Sequence, residues 1–132
     1  MAYLKPPLIV RRVFNPLAML FGLGGAITLV VPGRTTGEPR RLPVIPVEVN
    51  GVRYLVSTRG ESDWVRNLRA AGGRGEQRSK ALSGAFVATE IPVEQRPDIL
   101  RAYRRVAGKT VNAYFKKLPD PADHPVFRID PA

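Results

Sequence analysis

Arg41-Leu42-Pro43-Val44-Ile45-Pro46-Val47-Glu48-Val49-Asn50-Gly51-Val52-Arg53-Tyr54-Leu55-Val56-Ser57-Thr58-Arg59 places two β-rich runs on either side of Asn50-Gly51. That dipeptide suits the positive φ angles of a type I′ hairpin turn. A two-residue turn fixes the register, so the sequence predicts Val49 opposite Val52, Val47 opposite Tyr54 and Ile45 opposite Val56, with six apolar side chains on one face. Glu48 then falls opposite Arg53, an expected surface ion pair of about 0.2–1 kcal/mol.

Working outward, Ala26 to Val31 reads as a preceding strand, joined to the hairpin through Pro32-Gly33-Arg34-Thr35-Thr36-Gly37-Glu38-Pro39 in a three-stranded meander. Ser62 offers an N-cap for a short amphipathic helix with Trp64, Leu68 and Ala71 at helical spacing, ended by Gly72-Gly73. Glu76 to Leu82 and Ala85 to Ile91 are expected to pair about Ser83-Gly84. Helices are expected over Asp98 to Ala107, with Gly108 as the stop, and over Thr110 to Leu118; Val126 to Ile129 is a closing strand.

Val13 to Gly33 carries no charged side chain, and Lys5, Arg11 and Arg12 precede it. Pro16, Pro32 and Gly22-Leu23-Gly24-Gly25 break it too often for a membrane span, so the reading is a helix over about 8–21, a glycine turn and a strand. No small-residue cleavage site follows the basic start, which favours a cytoplasmic protein. The apolar, basic helix has two candidate resting places: its own barrel, or an anionic membrane at the inner face, met peripherally.

The chain has 132 residues, 44% of them hydrophobic, enough for one core and one domain over 1–132. Its 13 prolines and 12 glycines point to short elements and many turns. The fold class is therefore mainly β with α (α+β). With no cysteine and one histidine, His124, thiolate sites, disulfides and ordinary metal clusters are excluded, and no metal is expected; His124 is read as structural. A net charge of +10 requires an anionic partner: nucleic acid, lipid, or a phosphorylated or carboxylated coenzyme.

Two segments carry candidate chemistry. In Gly33-Arg34-Thr35-Thr36-Gly37-Glu38-Pro39-Arg40-Arg41, the glycines allow close backbone approach, the threonines add hydroxyls, and Arg34, Arg40 and Arg41 offer planar forks for phosphate or carboxylate. In Ser57-Thr58-Arg59-Gly60-Glu61-Ser62-Asp63-Trp64, a strand end runs into a helix N-terminus, where free N–H groups favour an anion. Glu61 and Asp63 oppose that reading, since each would repel an incoming phosphate. Trp64 is read as core or as a flank for a flat ring, and Asn67 as a group that orders the preceding loop or, as the second choice, bonds the ligand.

These segments, with Leu42-Pro43-Val44 and Trp64-Val65-Arg66-Asn67-Leu68, resemble the deazaflavin-dependent nitroreductase family from about Ala26 to Ile91. The resemblance implies an antiparallel split β-barrel with flanking helices, binding coenzyme F420, a deazaflavin with a phosphate and a polyglutamate tail. It also implies hydride transfer to an organic electron acceptor: a quinone, nitro compound or activated alkene. Carried over by position, Arg34, Thr35, Gly37, Arg40 and Arg41 fall in the tail and phosphate groove, and Thr58, Arg59 and Gly60 at a second phosphate-facing loop. Trp64 and Asn67 match the loop-ordering helix, and the aromatics near family substrates correspond to Tyr103 or Tyr114. Where family members often carry a longer Gly-Gly and His-Pro stretch, this chain has Gly60-Glu61-Ser62-Asp63.

A deazaflavin brings its own hydride, which explains a site with no evident nucleophile, dyad or metal. Proton delivery then falls to water or a tyrosine hydroxyl, with Tyr114 the nominee. FMN is the alternative cofactor on the same architecture, and a non-catalytic coenzyme or lipid carrier would share the basic groove. A homodimer is compatible with the sequence. Nucleic acid fits less well, because the basic residues cluster at loops and do not interleave with aromatics.

Overall fold

Asn50 and Gly51 adopt φ angles of 52° and 78°, and the tight turn sets the expected register, Val47 with Tyr54, Glu48 with Arg53 and Val49 with Val52. The surrounding elements come from a computed structural model that describes residues 26–79 and 83–132. In chain order they are β1 (Ile27–Pro32), β2 (Pro39–Val44), β3 (Val47–Val49), β4 (Val52–Val56), α1 (Asp63–Ala70), β5 (Arg74–Arg78), β6 (Gly84–Glu90), α2 (Arg96–Ala107), α3 (Asn112–Lys117) and β7 (Val126–Pro131). The helix expected over 8–21 lies outside the described residues.

The strands form one antiparallel sheet in the order β2-β1-β5-β6-β7-β4-β3, curled as a split β-barrel with flanking helices. The predicted meander is corrected here. The run from Arg41 to Asn50 is not one strand: Pro46 has no N–H to donate, pairing lapses at Ile45-Pro46, and β2 and β3 take opposite ends of the strand order. The pairing of Ile45 with Val56 is lost for the same reason, and Val56 pairs with Val126 of β7 instead.

Two apolar clusters use the two faces of this sheet. On the inner face Leu29, Val31, Leu55, Phe86, Phe127 and Ile129 pack against Trp64, Val65 and Leu68 of α1. On the other face Val47, Val56 and Val126 pack under Ile99, Leu100 and Tyr103 of α2, with Val111 and Phe115. The predicted apolar face of the hairpin is thus the one that α2 covers, while Leu55, on the face of Glu48 and Arg53, is fully buried in the other core. Burying both faces also removes the expected ion pair: Glu48 stays exposed, and the Arg53 Nε is buried without a partner.

The remaining expectations shift by a few residues. β5 starts at Arg74 and pairs with β6 from Arg74–Val87 to Gln77–Gly84, so the polar strand exists, held between β1 and β6. Ser62 occupies the N-cap position of α1, but its hydroxyl makes no cap hydrogen bond. α2 begins two residues before Asp98 and ends at Gly108, φ 73°; a 3-10 turn over Gly108–Val111 then leads into α3.

Candidate functional site

The turn from Ser57 to Ser62 is held from below and from both sides. Gly60, φ 84°, lets the chain reverse, so that the Ser57 Oγ donates to the Gly60 carbonyl at 2.6 Å and the Ser62 N–H donates to the same oxygen at 2.8 Å. That use of the serines explains why Ser62 does not cap α1: its hydroxyl lies 3.3 Å from the Ser57 hydroxyl. Underneath, the fully buried His124 ring stacks on Phe115 at 4.2 Å and places Nδ1 2.9 Å from the Ser57 carbonyl and Nε2 against the Leu118 carbonyl. His124 is structural, as expected, and it ties the site turn to the end of α3.

The two acids that opposed an anion site are both engaged. Arg69 holds Glu61 and reaches Glu90 at 2.7 Å, while Arg34 contacts Asp63 at 3.4 Å. Glu90 in turn meets the buried Arg96 at 3.3 Å, and Arg96 also donates to the carbonyls of Ile91, Pro121 and His124. Asn67 orders a loop, but not the preceding one that its spacing suggested: its Oδ1 accepts from the Arg34 backbone N–H at 3.1 Å and from Arg34 Nη1 at 2.8 Å, in the loop between β1 and β2.

Beside this turn a cleft of about 290 Å³ opens between the end of β2 and the helices. One wall is Leu42, Pro43, Val44 and Ile45; the other carries Tyr103, Val111 and Tyr114; Thr58, Arg59 and Trp64 lie between. Arg59 is the charged member, and its Nε is buried without a hydrogen-bond partner. Burial pushes the Tyr103 hydroxyl up to about 12, an effect that the nearby Arg59 charge partly offsets. Tyr103 is therefore a protonated hydrogen-bond donor at neutral pH, in the wall that it shares with Tyr114, the other aromatic that the family resemblance had singled out.

Of the sequence-selected residues, Thr58, Arg59, Trp64 and Tyr114 line the cleft, and Gly60 and Asn67 support it. The loop between β1 and β2 is closed by Gly33 N–H to Glu38 carbonyl and Gly37 N–H to Gly33 carbonyl bonds, each 2.8 Å, with Gly37 at φ 77°. It leaves Arg34, Thr35 and Thr36 exposed at its tip. Strand alternation separates the next two arginines. Arg40 pairs with Val31 and shares the face of Leu42 and Val44, whereas Arg41 pairs with Val30 and points to the opposite face. Gly33 leaves room for Arg40, whose Nε would lie 3.2 Å from any Cβ there.

The family model for F420H(2)-dependent quinone reductase matches residues 9–118. The chain belongs to this family. No curated protein matches. Among solved structures it is similar to an F420-H2 dependent reductase, FDR-A (20% identity, 80% of this chain and 93% of that one, TM-score 0.60). It is also similar to a structure described as a domain-swapped dimer (20%, 80% and 79%, TM-score 0.61). A heme storage protein from Vibrio cholerae shares the fold at 11% identity (84% of each chain, TM-score 0.58).

Family membership makes the protein an F420-dependent oxidoreductase, and the cleft's residues fit that coenzyme. A flat ring system with an anionic tail needs apolar walls and an uncommitted cation, and Leu42, Val44 and Trp64 beside the orphaned Arg59 Nε supply both. Among the described residues no group of His, Asp and Glu forms a metal set, and no helix is long and apolar enough to cross a membrane.

Proposed function

We propose that this chain binds reduced F420 in the cleft between β2 and α2–α3 and reduces a quinone, nitro compound or activated alkene. The observation that carries the reading is Arg59: a buried guanidinium edge with no protein partner, between apolar and aromatic walls, asks for an anionic ligand with a flat body. When bound, the coenzyme supplies a hydride; this chain's residues bind, orient and shield it.

In this reading Thr58 and Arg59 hold the phosphate, and Gly60 supplies the turn that presents them. Trp64 flanks the ring system and, with Leu42 and Val44, excludes water. Arg40, on the inner face of β2, and the Arg34-Thr35-Thr36-Gly37 loop, which Asn67 holds against α1, would hold the polyglutamate tail. Arg41, on the other face, adds to the local positive field without touching the same ligand. Tyr103 and Tyr114, which line the helix wall of the cleft, would serve the acceptor: Tyr103 as a hydrogen-bond donor, and Tyr114 or a water bound there as the source of the proton that the reduced acceptor takes up.

FMN is the nearest competing ligand because it too pairs a flat ring with a phosphate, but it has no polyanionic tail to engage Arg40 and the Arg34 loop. Heme ligation has less support: the only histidine, His124, turns both ring nitrogens to carbonyl oxygens. Titration with oxidised F420 and FMN tests the reading, followed by stopped-flow oxidation of the bound reduced coenzyme with quinone, nitro and enone acceptors. Tighter F420 binding that weakens with salt, and protein-accelerated oxidation, are expected. Equal or tighter FMN binding would overturn the coenzyme assignment, and oxidation no faster than without protein would leave a carrier.

A further inference from the structure

Arg96, the first residue of α2, is buried but lines neither wall of the cleft. A buried guanidinium is tolerated only where its donors are satisfied, and this one spreads its fixed fork over separate segments of the chain. Nε donates to the Ile91 carbonyl at 2.9 Å, Nη1 to the Pro121 and His124 carbonyls at 3.2 and 3.4 Å, and Nη2 to Glu90 at 3.3 Å. Two of those partners lead to the same turn from opposite ends. The His124 ring brings Nδ1 within 2.9 Å of the Ser57 carbonyl, and the Ser57 N–H donates at 2.9 Å to the carbonyl of Pro125, the residue after His124. Glu90 holds Arg69 at 2.7 Å, and Arg69 covers Glu61. Between Ser57 and Glu61 stand only Thr58, Arg59 and Gly60.

We propose that Arg96 is a positioning residue for the coenzyme turn: through His124 it sets where Ser57 starts the turn, and through Glu90 it keeps Arg69 over Glu61 where the turn ends. It does so without touching the ligand. Arginine suits the task because its planar fork serves all of these acceptors at once, whereas a lysine ammonium is a single point charge. The two arms act differently. The His124 arm is geometric and is present in the coenzyme-free chain, while the Glu90 arm places a counter-charge and matters to an incoming anion. The consequence for F420 rests on the reductase reading, whereas the restraint on Ser57 does not. A residue that only stabilised the fold would, when replaced, lower the melting temperature and leave the site of the still-folded molecules as it was.

Amide hydrogen exchange in coenzyme-free Arg96→Lys and Arg96→Gln tests the restraint. Exchange at Ser57 and Ser62 should quicken by about tenfold, while Gly33 and Gly37, whose amides are bonded at 2.8 Å in the β1–β2 loop, keep the wild-type rate. Equal acceleration at all of these amides would reduce Arg96 to fold stability and overturn the proposal, as would unchanged rates at Ser57 and Ser62. F420 titration then reads the ligand side. Arg96→Lys should raise the Kd by roughly threefold to tenfold, and a double-mutant cycle should show most of this loss disappearing in an Arg59→Ala background but persisting in Arg40→Ala. An unchanged Kd, or full additivity with Arg59→Ala, would overturn the link to the coenzyme. Glu90→Ala, at a partly exposed position, decides if neither Arg96 variant folds: weaker F420 binding that Glu61→Gln restores is expected, and wild-type affinity would overturn the proposal. If the wild type binds no F420, the coenzyme reading fails and the exchange rates still decide whether Arg96 holds the turn.

Discussion

Asn67 Oδ1 accepts two hydrogen bonds from one residue, Arg34, through its backbone N–H and its Nη1. A buried side chain on α1 thereby fixes both the main chain and the charge of a loop 33 residues away. Replacing Asn67 with Ala strands the Arg34 N–H and frees its guanidinium. The expected cost is about 1–3 kcal/mol of stability and weaker F420 binding. Asn67→Asp keeps the acceptor and should recover most of the stability in thermal melts; equal losses in both variants would show that the bonds themselves contribute little.

Arg59 differs from Arg34 in having an uncommitted Nε in the cleft. Because no described protein partner depends on that Nε, Arg59→Ala should leave the melting temperature nearly unchanged while weakening F420 binding by about 1.5–3 kcal/mol, the range for a charge-assisted hydrogen bond. Arg59→Lys should recover only part of the loss, since a lysine lacks the planar fork. A titration showing wild-type affinity in Arg59→Ala removes this residue from the coenzyme site.

Glu61 is kept from an incoming phosphate by Arg69, which Glu90 holds from the other side. Arg69→Ala should therefore lower coenzyme affinity without touching the coenzyme, by releasing a carboxylate at the N-terminal end of α1. Adding Glu61→Gln to that variant should restore affinity. If the double variant binds as weakly as the single one, Arg69 acts through loop order and not through charge.

What the sequence revealed depended on how local each cause is. Asn50-Gly51 was legible because positive φ is a property of those residues themselves. The break at Ile45-Pro46 had a local cause too, the missing proline N–H, but its consequence, β2 and β3 at opposite ends of the sheet, needs the whole strand order. Leu55 was given no place in the core because alternation was read for one buried face, and here both are buried. At the site, Thr58, Arg59 and Trp64 were visible as a strand–turn–helix motif. The neutralisation of Glu61 and Asp63, and the link from His124 to Ser57 across 67 residues, were not, since both depend on partners far away in sequence. The opposite facing of Arg40 and Arg41 follows from period-2 alternation once β2 is placed.

Gly73 closes α1 onto β6. Its φ is +83°, its carbonyl accepts the Ala88 N–H at 2.7 Å, and a Cβ there would collide with the Ala88 carbonyl oxygen. Gly73→Ala adds left-handed backbone strain to an overlap with backbone that cannot swing aside, an expected loss of about 2–4 kcal/mol. Gly72, φ +66° with nothing within 4 Å of its Cβ position, serves as the control: Gly72→Ala should cost only the backbone strain, about 1–2 kcal/mol. Chemical denaturation of both variants measures the difference, and equal midpoints would contradict the close approach.

Tyr103 links burial in the cleft wall to alkaline stability. Burial raises its hydroxyl from the ordinary 10 to about 12, with the Arg59 charge acting in the opposite direction. Below pH 10 the phenol is protonated in both the folded and unfolded chain, so its contribution to stability is fully present. Between pH 10 and 12 the unfolded chain loses the proton and the folded one keeps it, so stability falls as pH rises and is lost through the folded value. A difference of about two units corresponds to roughly 2–3 kcal/mol. Tyr103→Phe keeps the ring in its core and removes the titration. The gap between wild-type and Tyr103→Phe unfolding free energies should therefore be constant from pH 7 to 9 and shift in favour of the variant above pH 10. Arg59→Ala removes the offsetting charge and should push the wild-type Tyr103 transition to still higher pH. A wild-type curve parallel to that of Tyr103→Phe up to pH 12 would mean that the hydroxyl is not desolvated in the cleft.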